Sequence, residues 1–138
     1  MKRNASLALI EQVIMLLILI VAAALCLRAF VWSEKQSLYY TERDRAITEL
    51  QSTAEVLKAC DGDFSAAAAS YGGKATQTQW VLDFDKNWNI TETSGTYQIC
   101  ATAIVCEDDY LGSATLTVRP ADGDAFTALT VSWQEVAP

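Results

Sequence analysis

From Met1 to Asp61 the chain contains neither proline nor glycine, and its first part is almost wholly apolar. Leu7 to Leu27 is interrupted only by Glu11 and Gln12, with Lys2 and Arg3 before it and Arg28 after it. With no helix breaker present, this stretch predicts one helix from residue 7 to about residue 60. The apolar run alone would rise about 31 Å, close to the hydrocarbon thickness of a bilayer. A membrane-spanning helix over residues 7–30 is therefore expected. Lys2 and Arg3 on a very short flank point to a cytoplasmic N-terminus, with the rest of the chain outside. A cleavable secretory signal competes with this reading, because Ala22-Ala23-Ala24 offers small residues of the kind a signal peptidase accepts. Against it, the apolar run continues past those alanines and a helical pattern follows without a break.

Within this run Glu11 stands out. A carboxylate at the centre of a membrane helix costs about 2.5–3.5 kcal/mol, and less towards the interface. A group that unfavourable in hydrocarbon calls for a cationic partner. At the other end, Trp32 fits an interfacial aromatic position with Arg28 reaching outward beside it.

After the membrane run the helical pattern becomes amphipathic. Ile47, Leu50, Ala54 and Leu57 recur at intervals of three and four and form one apolar stripe. Asp61-Gly62-Asp63 is a stop signal, and Phe64–Tyr71 reads as a short helix closed by Gly72-Gly73. The period then changes to two. Trp80, Leu82 and Phe84 alternate with Gln79, Val81 and Asp83, and Tyr97, Ile99, Ala101, Ala103 and Val105 alternate with Gln98, Cys100, Thr102, Ile104 and Cys106. Ala114, Leu116 and Val118, then Leu129, Val131 and Trp133, do the same. Four antiparallel strands across about residues 78–135 are expected, joined by turns at Asp85-Lys86-Asn87, Ser94-Gly95, Asp108–Gly112 and Pro120–Asp124. Their apolar faces need a cover, and the 47–57 stripe is the one of suitable size. The predicted class is α+β: a long N-terminal transmembrane helix whose distal half packs on a small antiparallel sheet. Residues 31–138 would form the domain outside the membrane.

Composition excludes several functions. Ten basic and 17 acidic residues leave a net charge of −7, with no basic cluster after Arg45, so no nucleic-acid partner is expected. Histidine is absent, and neither a nucleophile elbow nor a phosphate-binding glycine loop occurs, so no enzymatic activity or cofactor is expected. Asp83, Asp85, Asn87 and Asn89 alternate like a calcium loop, but the glycine and terminal glutamate of an EF-hand are missing, and a polar hairpin turn accounts for them. Glu107, Asp108 and Asp109 read as a solvated loop. Cys26 lies in the membrane run. Of the other three cysteines, Cys60 could bond with Cys100 or Cys106, or all could stay reduced. Cys100 and Cys106 share a strand parity, about 20 Å apart along one strand, so they cannot bond with each other unless the strand is broken between them.

A short basic leader, an apolar helix with a lone glutamate near its start and a sheet packed on the helix's distal half resemble the type IV pilin and pseudopilin superfamily. Ser6-Leu7-Ala8-Leu9-Ile10-Glu11 looks like a divergent prepilin processing motif, with Ser6 where the family has glycine, Leu7 where it has an aromatic and Ala8 where it has threonine. The resemblance implies a leader over residues 1–6, cleavage between Ser6 and Leu7 by a prepilin peptidase, and methylation of the new terminus. It also implies that Glu11 pairs with the terminal amine of a neighbouring subunit. The implied partners are other pilin-like subunits, an assembly ATPase with its membrane platform, and membrane lipid. The expected role is that of a divergent minor subunit of a pilus or of a type II secretion-like pseudopilus. An uncleaved single-pass anchor carrying a binding domain, or a secreted domain released after Ala24, are the alternatives from other classes.

Overall fold

The computed structural model describes residues 2–106 and 110–135, with the backbone alone for residues 2 and 3. The acidic run Glu107–Asp109 lies outside the described residues. The chain divides into two compact units, residues 1–42 and 43–138.

Helix α1 spans Lys2–Ala59 without interruption, as the absence of breakers predicts, but it starts five residues before the expected residue 7, so residues 2–6 of the expected leader segment are helical as well. The first unit consists of its N-terminal part, and every described side chain from Asn4 to Lys35 is exposed. The helix is long and apolar enough to cross a membrane.

In the second unit the distal part of α1 joins the sheet in one core. Ala46, Leu50, Thr53, Ala54 and Leu57 are buried there. The observed stripe thus differs from the predicted one: Ile47 is half-buried, while Ala46 and Thr53 face inward. Thr53 is tolerated because its hydroxyl donates to the Glu49 carbonyl one turn back, at 2.8 Å. The helix stops where Asp61-Gly62 predicts. Asp61 and Gly62 both take positive φ, and the Gly62 N–H reaches back to the Leu57 carbonyl while that of Asp61 reaches Lys58. That is a Schellman-type end. Asp63 then caps α2 (Phe64–Tyr71), its carboxylate accepting from the N–H groups of Ser65 and Ala66.

The sheet is antiparallel throughout. Strands β1 (Lys74–Ala75), β2 (Gln79–Phe84), β4 (Tyr97–Ile104), β5 (Leu111–Pro120) and β6 (Thr127–Gln134) lie side by side in that order, and β3 (Ile90–Thr91) adds to β2. The four predicted strands are β2, β4, β5 and β6. The sheet therefore has six strands, because two short pieces, β1 against Trp80–Val81 and β3 against Asp83–Phe84, pair along the edge of β2 opposite β4. On the covered face Trp80, Leu82, Phe84, Ile99, Ala101, Leu116 and Val118 are all buried. The predicted alternation in β4 fails beyond Ala101: Ala103 is exposed and Val105, past the strand end, is 98% exposed.

Two contacts lock the ends of the core. Trp133 on β6 lies between Gly62 and Gly112, where an added Cβ would come within 2.1 and 2.2 Å of its indole. Only glycine admits the ring from both sides. At the other end Trp88 takes a left-handed backbone, φ 63°, and stacks on Tyr97 with centroids 4.2 Å apart.

Candidate functional site

The first unit presents the sequence-predicted site residues along one exposed helix. Ser6 and Leu7, the expected cleavage pair, lie within continuous α1, and Leu7 is 61% exposed. Glu11 follows one turn after Leu7, so the two share a face. No described side chain forms an ion pair with Glu11; among the described residues the ion pair is Arg45–Glu49. On a neighbouring face Ser6, Leu9, Ile10, Val13 and Ile14 line a shallow apolar hollow of about 250 Å³. What this helix offers chemically is an apolar rod with one unpartnered carboxylate near its start.

In the second unit, three surfaces face away from the core. The outer sheet face is polar and ordered in cross-strand rungs. Ser113 and Ser132 meet at 2.7 Å and Thr115 and Thr130 at 3.5 Å. Asp83, Gln98 and Arg119 form one rung across β2, β4 and β5: Gln98 donates to Asp83 at 3.0 Å and accepts from Arg119 at 2.7 Å. A second surface is the notch of about 590 Å³ beside β2, lined by Gly72, Gly73, Lys74, Asp83 and Glu92 among others. The third is a groove of about 400 Å³ between the distal part of α1 and the outermost strand β6, where Gln51, Glu55 and Lys58 face Leu129 and Val131. Strand β6 ends the sheet and its sequence, Thr-Ala-Leu-Thr-Val-Ser-Trp-Gln, carries no charge and no proline. Such an edge can accept a further strand.

The calcium candidates do not converge. Asp83 is engaged by Gln98 on the sheet face. Asp85 turns into its own loop, accepting from the backbone N–H groups of Asn87 at 2.8 Å and Asn89 at 2.9 Å and from the Asn89 side chain. Among the described residues no group of three or more acidic or cysteine side chains is placed to hold a metal. The Asn89 backbone bond, the largest influence, with smaller help from Asn87, the Asn89 side chain and Lys86, holds the Asp85 carboxyl below its usual range against desolvation, the second-largest influence, which raises it. A depressed folded-state pKa stabilises the fold above the unfolded value and loses that contribution as pH falls through the folded one. The urea midpoints of wild type and Asp85→Ala should therefore differ by a constant amount near neutral pH. They should begin to converge once pH drops below about 4, the ordinary aspartate range, and meet only below the depressed folded-state value. A difference that persists unchanged into strong acid would show that the turn does not depend on the ionised carboxylate.

Of the two cysteine alternatives, the structure has the reduced one. All four cysteines are free. Cys60 packs against the core on the helix side. Cys100 lies on the opposite, outer face, where it accepts from the Gln79 side chain. The sheet separates the two. Cys106 falls beyond the end of β4 at Ile104, so it does not share the strand parity expected of it.

Comparison with known protein families, characterised proteins and solved structures finds no match to this chain.

Proposed function

We propose that this protein is a pilin-like structural subunit, inserted in a membrane through α1 and assembled with like subunits through that helix. The observation that carries the reading is Glu11, an unpartnered carboxylate one turn inside an apolar helix long enough to span a bilayer. Lateral packing of such helices removes the carboxylate from lipid, and a neighbour's terminal amine in the same layer supplies the countercharge. The architecture supports the same reading, because a sheet covered by the distal part of the same helix is the plan this superfamily uses. Cleavage between Ser6 and Leu7 places the new amine one turn from Glu11, at the depth the pairing needs. Arg28, Lys35, Arg43 and Arg45 after the span offset Lys2 and Arg3 before it, so the orientation, N-terminus inside, rests on this processing rather than on the charge rule. The domain would then lie outside the membrane, and in a surface filament after assembly.

Intact mass of the protein recovered from its native membranes tests the reading. The expected product lacks residues 1–6 and carries one methyl group on Leu7. An uncut chain would reject it and leave a single-pass anchor. One observation favours that second reading: the uncharged β6 edge beside its groove is a surface on which an extended peptide could be displayed or captured.

A further inference from the structure

Arg28 and Lys35 stand seven residues apart on α1, which returns them to one face about 10 Å apart along the axis. Together with Leu27, Val31 and Trp32 they line a shallow hollow of about 310 Å³. Leu27 and Trp32 are 67% and 68% exposed. The apolar run ends at Leu27, so the hollow starts where hydrocarbon gives way to headgroups. The chain has 17 acidic residues, yet neither cation takes one: the ion pair among the described residues lies elsewhere, at Arg45–Glu49. Glu34, the nearest carboxylate in sequence, is six residues from Arg28 and so lies well round the helix from it. Two unpaired cations bracketing an interfacial tryptophan leave a space suited to a single anionic group.

We propose that this face of α1 holds the phosphate of an anionic phospholipid in the leaflet at the C-terminal end of the span. The Arg28 guanidinium donates paired N–H bonds to phosphate oxygens, and the Lys35 ammonium approaches as a point charge from the water side. Trp32 lies between them at headgroup level, and Leu27 and Val31 meet the first methylenes of the acyl chains. The charge complementarity sets the occupant. A zwitterionic lipid carries its own ammonium into the same space and is repelled by Lys35. A free phosphate ion gains nothing from the apolar floor. The site rests on the membrane-span reading and adds to it a preference among lipids.

The test uses the full chain reconstituted in phosphatidylcholine bilayers, with spin-labelled phosphatidylglycerol or spin-labelled phosphatidylcholine as probe. The protein-restricted fraction should favour phosphatidylglycerol by more than the roughly five-fold that one surface cation provides. Arg28→Gln and Lys35→Gln should each lower that preference by about five-fold. Lys58→Gln, in the second unit, should leave it unchanged. Resistance to carbonate extraction should be the same in all four proteins, which separates loss of the headgroup site from loss of insertion. Equal restriction of both lipids, a preference that survives both substitutions, or competition by inorganic phosphate at matched ionic strength would each overturn the site. Extraction of the wild type by carbonate would overturn the membrane span with it.

Discussion

Trp80→Ala should destabilise the sheet unit by about 3–5 kcal/mol, the range for removing a fully buried large aromatic. Trp80 is 0% exposed and the largest of the fully buried side chains. Its ring meets Tyr71 edge-on at 6.4 Å, and its indole N–H donates to the Gly72 carbonyl at 2.9 Å. That bond joins the end of α2 to β2, so truncation removes core volume and also leaves a backbone carbonyl without its partner, at a further cost of about 1 kcal/mol. Against a typical total stability of about 5–15 kcal/mol, such a loss brings the domain near its unfolding threshold. Trp80→Phe keeps most of the volume and gives up the hydrogen bond, so its loss should be the smaller. Urea unfolding of the full chain in mild detergent, followed by near-ultraviolet dichroism, measures both. A Trp80→Ala loss below about 0.5 kcal/mol, the level of an ordinary surface substitution, would remove Trp80 from the core.

What could be read from the sequence follows from how much of each element's structure is local. The span of α1, its stop at Asp61-Gly62 and the inward faces of β2, β5 and β6 were legible because period and breakers act over a few residues. Strands β1 and β3 were not, since a two-residue strand has no alternation to display and exists only because β2, reached through a turn, supplies its partner. Thr53 read as polar, and only the Glu49 carbonyl behind it makes its burial acceptable. Trp133 was visible as an aromatic in a strand pattern, and Trp88 is an aromatic four residues beyond β2. Their seats were not visible: Tyr97 under the Trp88 ring and Gly62 with Gly112 around that of Trp133 come together only on folding. The cysteine alternatives stayed open in the sequence because parity does not say which face of the sheet the helix covers. The placement of Glu11 within an exposed apolar stretch of α1 was legible from hydropathy alone, because it depends on no contact within the chain.

On the assembly reading, Glu11→Ala should leave insertion intact and reduce incorporation into filaments by two orders of magnitude or more. Removing one member of a buried ion pair costs about 3–5 kcal/mol, because the other charge stays in a low-dielectric layer without compensation. Here the stranded charge would be the terminal amine of the neighbouring subunit. Glu11→Gln separates charge from hydrogen bonding: an amide can still accept a bond from the amine but cannot neutralise it, so this variant should also fail. The decisive comparison couples the two ends of the pair. In a chain whose Ser6–Leu7 bond is not cut, no amine exists at Leu7, and Glu11 has nothing to pair with. Glu11→Ala in that background should then cause no further loss of incorporation, a non-additivity expected only of groups that act on one another. Insertion, measured by carbonate resistance, should stay level or improve slightly, since the carboxylate is the residue that hydrocarbon disfavours. Incorporation that is indifferent to Glu11 in the processed protein would reject the pairing and reduce the residue to a polar group near the membrane surface.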